Sequence, residues 1–207
     1  MSLPLVRWLI AFVVCAALAA LSIAFADRPL ALFVDHLGLP QTTIGDVLQV
    51  FLILVPLAAA AVLFCGISAW RGRALPRWLE IFCVAGISLL CAIAVNDLVL
   101  KPAFGRYNMS QFLSAPHLYG FVPFHGSLLS SFPSGHTVII LAFFGVYWLA
   151  VPRLRWLWAV IIALVLMGLI AAGWHFIADE VAGVFVGASF AAAAFGLWRL
   201  RTGFFQR

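Results

Sequence analysis

Two histidines, a carboxylate and two cations are spaced for chemistry in a chain that is otherwise mostly hydrocarbon. Ser131-Phe132-Pro133-Ser134-Gly135-His136-Thr137 closes a polar loop and opens an apolar run from Val138 to Val151. Pro133 does not fit inside a helix and Ser134 is a good N-cap, so a helix is predicted to begin at Gly135. A helix N-terminus offers unpaired N–H groups and the positive end of a dipole, which together suit an anion. The same residues also read as an ordinary helix cap. Gly135 leaves the backbone bare for close approach, and His136 falls in the first turn. Lys101 and Arg106 come before this stretch, and His175 and Asp179 come after it.

His175 and Asp179 are four apart, which places both on one side of a single helix near its start. A carboxylate bonded to one imidazole nitrogen fixes the tautomer and leaves the other nitrogen as base or nucleophile. Gly183 and Gly187 continue that stripe as a GxxxG, the pattern of close helix packing in membranes. An ionisable pair inside a membrane span is a functional reading by default. A buried structural pair is a second reading, and an i,i+4 metal site with His125 as third ligand is another. Glu180 points about 100° away around the helix, as an interfacial, solvated group. Asp97 and Lys101 face one side of their own helix, also the pattern of a plain surface ion pair. Taken together the residues suit phosphoryl transfer. Lys101, Arg106 and the cap at Ser134-Gly135-His136 would hold phosphate oxygens by charge and N–H groups. One histidine would attack phosphorus and the other would protonate the leaving oxygen.

The elements that must position these groups are membrane helices. Hydrophobic residues make up 66% of the 207 and charged ones 9%, with mean hydropathy +1.15. A soluble domain carries roughly 25% charged residues, so the chain is an integral membrane protein. The net charge of +5 is no sign of nucleic-acid binding, because the basic residues sit in short loops between apolar runs. Cys15, Cys65, Cys83 and Cys91 lie inside apolar segments without metal-ligand spacing, so neither a disulfide framework nor a metal site is expected.

Six spans of about 20 residues are predicted within one domain, 1–207: Trp8 to Ala26, Asp46 to Ser68, Trp78 to Leu100, Thr137 to Val151, Trp156 to Gly173 and His175 to Trp198. The first is read as a retained helix, since a cleaved signal has a shorter apolar region. Asp27 to Ile44 reads as a polar connection. Pro102 to Pro133 is the longest hydrophilic stretch, and loops of that length are usually functional. By alternate loops, nine of the twelve Lys and Arg fall on one side. The positive-inside rule puts that side, with both termini, in the cytoplasm. Lys101, Arg106, Ser134, His136 and His175 then lie at the extracytoplasmic face, of the inner membrane if the cell is bacterial.

At these residues the sequence resembles the type 2 phosphatidic acid phosphatase superfamily, six-span lipid phosphatases with motifs K-x6-R-P, P-S-G-H and S-R-x5-H-x3-D. Pro133-Ser134-Gly135-His136 matches the second motif in full, and His175-x3-Asp179 ends the third. Lys101 opens the first, with Gly105-Arg106 matching a G-R common within it. The resemblance implies an all-α, six-helix membrane bundle and a phosphatase without metal or other cofactor. His175 would form a phosphohistidine, Asp179 would orient it, and His136 would protonate the leaving group. Lys101, Ser134 and Gly135 would bind phosphate. Two arginines of the pattern are missing: R-P falls on Asn108-Met109 and S-R on Gly168-Leu169. Each charge-assisted contact is worth roughly 1.5–3 kcal/mol, so Arg106, Asn108 or His125 would have to take over. Polyprenyl diphosphate, phosphatidylglycerophosphate, phosphatidic acid and a lipid A phosphate all suit such a site. A lipid phosphotransferase using the same histidine and a non-catalytic lipid-binding relative are the alternatives.

Overall fold

The computed structural model describes residues 3–124 and 130–204; His125 lies outside them. A bilayer offers backbone N–H and C=O groups no partners but one another, so an apolar chain of this kind becomes helical. In order the helices are α1 (Leu5–His36), α2 (Gln41–Trp70), α3 (Arg77–Phe104), the short α4 (Met109–Ser114), α5 (Gly135–Ala150), α6 (Pro152–Ala171) and α7 (Ile177–Phe204). All but α4 and α5 are long and apolar enough to cross a membrane, and α5 is a shorter apolar helix. Among the described residues the β-structure is one isolated bridge, Arg106 to Phe121. The expected six-helix membrane bundle is present.

Three helices incorporate a proline in the same way. In α1 a π-helical turn spans Ser22–Ala26 and Pro29 follows it. In α2 a 3₁₀ turn spans Val50–Ile53, ahead of Pro56. In α3 a π turn spans Asn96–Leu100, ahead of Pro102. A proline lacks the N–H for the i→i−4 ladder, and a local switch to π or 3₁₀ bonding absorbs that loss. This corrects the expected ends of two spans. The first helix does not stop at Ala26 but runs on through Asp27 to His36, and the third continues past Lys101 to Phe104. Beyond Asp27, Ala31 and Val34 are buried with Met109, Phe112 and Phe176, so this stretch packs instead of forming the polar connection expected there.

Helix α5 is the centre of the bundle, with Val138, Ile139, Ile140, Ala142, Phe143 and Val146 all buried. It packs on α7 almost backbone to backbone. A Cβ on Gly187 would lie 2.6 Å from Leu141 Cβ, and one on Gly183 would lie 2.8 Å from Thr137 Cβ. The GxxxG is therefore a packing seam, as its pattern predicts. With 16 residues, α5 rises about 24 Å, short of the about 30 Å hydrocarbon core. Its N-terminus meets α3 part-way along that helix, where a Cβ on Gly135 would lie 3.8 Å from Asn96 Nδ2.

Candidate active site

The cap at the head of α5 forms as the sequence predicts. Ser134 Oγ accepts from Thr137 N at 3.4 Å and from Thr137 Oγ1 at 3.0 Å, and Ser134 N donates to the Asp179 carbonyl at 3.1 Å. Ser134 is consequently enclosed, with no exposed surface, and holds the turn in place from behind. Gly135 and His136 come to the surface of a cleft of about 570 Å³. Its polar end is formed by Asp97, Lys101, Asn108, Ser110, Ser130, Ser131, Gly135, His136, Trp174 and His175. Leu52, Val55, Ile93 and Ile139 are its apolar lining.

Lys101 reaches this cleft because the π turn in α3 carries Asn96 inward and leaves Asp97 and Lys101 facing out. Asn96 is fully buried, and its Nδ2 donates to the Pro133 carbonyl at 3.4 Å, tying α3 to the loop ahead of α5. Lys101 Nζ pairs with Asp97 at 2.8 Å. It would lie 3.0 Å from a Cβ on Gly135, so the ammonium sits directly over the bare backbone there. The His136 ring rests against Trp174 with centroids 5.3 Å apart, and its Nε2 has no hydrogen-bond partner.

His175 differs from its expected setting. Helix α7 begins at Ile177, so His175 lies in the loop before it and does not share a helical face with Asp179. The two still meet. Asp179 Oδ2 accepts from Phe176 N at 3.0 Å, the reach-back contact of a helix cap. This turns the carboxylate toward His175, whose Nδ1 is 3.5 Å away, an ion-pair distance without a formed hydrogen bond.

Arg106 is not in the cleft, contrary to its expected role on phosphate. It is 1% exposed, and its Nη1 donates to Asp179 Oδ1 and its Nη2 to Asp27 Oδ2, each at 2.6 Å. The backbone around it explains the burial: Ser131 N donates to Arg106 O at 2.9 Å and Arg106 N to Ser130 Oγ at 3.0 Å. Burial pulls the guanidinium pKa down, but Asp179 and Asp27 outweigh it and raise it overall, so Arg106 stays charged. Glu180 is likewise not solvated. It is 3% exposed and accepts from Thr137 Oγ1 across the α5–α7 seam. The two positions where the family pattern has arginine also separate. Asn108 lines the cleft and caps α4, accepting from Gln111 N at 2.8 Å. Leu169 is fully buried among Leu48, Ile140 and Val165, so no cation is missing from the cleft there.

Sequence reasoning overlooked Asp27, Ser130 and Ser131. Ser131 Oγ lies 2.8 Å from Asp179 Oδ2 and 3.0 Å from the Tyr107 carbonyl. The serines precede the P-S-G-H run directly and carry a usable signal, adjacency to a motif. Asp27 carries none, since it stands 79 positions from its partner.

Residues 81–202 match the PAP2 superfamily. A lipid A 1-phosphatase of Rhizobium johnstonii is 30% identical over 206 residues, covering 91% of this chain and 80% of that one. In fold the chain is similar to a crystal structure of a transmembrane PAP2 type phosphatidylglycerolphosphate phosphatase from Bacillus subtilis. That likeness has TM-score 0.56 and 20% identity, over 97% of this chain and 98% of the other. The helical membrane bundle agrees with that likeness in fold. The chain belongs to the PAP2 superfamily, as a multi-pass membrane protein.

Proposed function

We propose that this protein hydrolyses a lipid phosphomonoester or diphosphate at the extracytoplasmic face of a membrane, through a phosphohistidine on His175. The observation that carries this reading is that Lys101 of α3, Gly135 and His136 of α5, and His175 of the loop before α7 line one cleft, which Leu52, Val55, Ile93 and Ile139 line as well. The cleft suits an amphipathic substrate, with phosphate at the polar end and the lipid portion against Leu52, Val55, Ile93 and Ile139. Lys101 and the free N–H groups at the head of α5 hold phosphate oxygens. With Nδ1 turned to Asp179, His175 uses Nε2 to attack phosphorus as the bond to the lipid oxygen breaks. His136 gives that oxygen its proton. Water then attacks the phosphohistidine, His136 takes its proton, and inorganic phosphate leaves as the P–N bond breaks. Ser134 acts by holding the turn. None of these steps calls on a metal.

The excess of Lys and Arg on alternate loops supports cytoplasmic termini and an extracytoplasmic site. The lipid A 1-phosphatase relative makes a glycolipid 1-phosphate the first substrate to try, ahead of phosphatidylglycerophosphate, phosphatidic acid and polyprenyl diphosphate. The test is phosphate release from these four lipids by purified protein in detergent, with and without chelator. Release that persists in chelator and is lost in His175→Ala and His136→Ala supports the reading. Lipid binding without release would replace it with a non-catalytic role.

A further inference from the structure

Behind His175 lies a chain of buried charges that the reaction itself does not touch. Asp179 faces His175 with Oδ2 and gives Oδ1 to Arg106, whose other nitrogen is held by Asp27. The Arg106 side chain and both carboxylates have no exposed surface. The guanidinium carbon is 4.5 Å from the Phe176 ring centroid, 5.1 Å from that of Phe121 and 5.7 Å from that of Tyr119, an aromatic box that keeps water out. Asp27 is held there on purpose-built backbone. It follows the π turn Ser22–Ala26, its Oδ1 accepts from Ala178 N at 3.2 Å, and Tyr119 Oη donates to the Ile23 carbonyl within the turn at 2.8 Å. π turns inside helices are frequent at functional sites.

The charge count shows what Asp27 adds. Arg106 alone beside Asp179 would cancel the carboxylate, and His175 would face a pair with no net charge. With Asp27 ionised in its 2.6 Å pair with Arg106, the trio carries one negative charge. In a dry, low-dielectric box that charge is poorly screened, and it favours the positive charge His175 takes on when it bonds to phosphorus. We propose that Asp27 is a positioning residue of α1 that acts through Arg106, keeping Asp179 negative enough to orient and support His175. The inference rests on the reading of His175 as nucleophile.

The test compares four full-length variants, one of them Asp179→Asn alone, with wild type in detergent, using whichever of the four lipids wild type hydrolyses fastest, with kcat expressed per mole of monodisperse protein. Asp27→Asn leaves the Arg106 charge to fall wholly on Asp179. It should lower kcat about 10–100-fold, the range known for removing the partner behind a metal-ligating histidine, with KM within about threefold. Adding Arg106→Gln to Asp27→Asn removes both charges and restores a single negative carboxylate behind His175. The double variant should regain at least about fivefold in kcat over Asp27→Asn. A merely structural clamp predicts the opposite order, because the double variant has lost more of it. The third, Asp179→Asn with Asp27→Asn, should be no slower than Asp179→Asn alone. An Asp27→Asn enzyme with wild-type kcat, a double variant slower than the single, or loss of all monodisperse protein in both would overturn the inference while leaving the His175 reading intact. An active His175→Ala enzyme would overturn both.

Discussion

Lys101 Nζ lies over Gly135 so closely that a methyl group there would sit 3.0 Å from it. The only thing that has to move is the tip of a flexible side chain, so Gly135→Ala should fold normally. Its cost should fall on phosphate, because the displaced ammonium and the methyl compete for the space an oxygen needs. The expected outcome is a KM raised about tenfold, equal to roughly 1.4 kcal/mol of lost binding, with an unchanged unfolding temperature. Steady-state kinetics alongside thermal unfolding in detergent checks both halves.

Gly187 is the opposite case. A Cβ there meets the Val138 carbonyl at 2.9 Å as well as Leu141 Cβ at 2.6 Å, and backbone cannot swing away. Gly187→Ala should force α5 and α7 apart and destabilise by about 1–3 kcal/mol. Activity should fall with it, since His136 rides on α5 and Asp179 on α7. Thermal unfolding of the variant reads the first effect and phosphate release the second.

Arg106→Ala separates two roles for this arginine. An arginine on the phosphate would cost KM and leave stability alone. A buried one between two carboxylates leaves both of them uncompensated, at about 3–5 kcal/mol. The expected result is a protein that unfolds far below wild type, recorded by the yield of monodisperse protein and its unfolding temperature.

Leu169→Arg restores the family's residue type at its motif position but should not improve the enzyme. Leu169 is sealed among the apolar side chains of Leu48, Ile140 and Val165. The new charge would be buried unpaired, and a loss of stability of at least about 3 kcal/mol is expected. A variant with wild-type stability and faster phosphate release would show that the loop before α7 can turn this position into the cleft.

What could be read from the sequence follows from how local its signals are. The cap at Ser134, the bare Gly135, the GxxxG seam and the membrane helices each depend on a few neighbouring residues and on hydropathy, and all were legible. His175 was correctly paired with Asp179, but for a different reason. The pair is made by a carboxylate reaching back over a helix start, not by a shared helical face, because α7 begins two residues after His175. The ends of α1 and α3 were not legible: Pro29 and Pro102 read as stops, while the non-α turns before them carry the helix on. Arg106 looked like a phosphate ligand because its two carboxylates lie 73 and 79 positions away. Nothing local marks a charge as already neutralised.

The most direct measurement of the central claim is rapid acid-free quenching during turnover of a lipid phosphate, followed by mass spectrometry of the peptide containing residues 174–180. A phosphoryl group on His175 in wild type, absent from His175→Ala together with all phosphate release, is the predicted result. Sustained release by His175→Ala, or a phosphoryl group carried on another residue in its place, would contradict it.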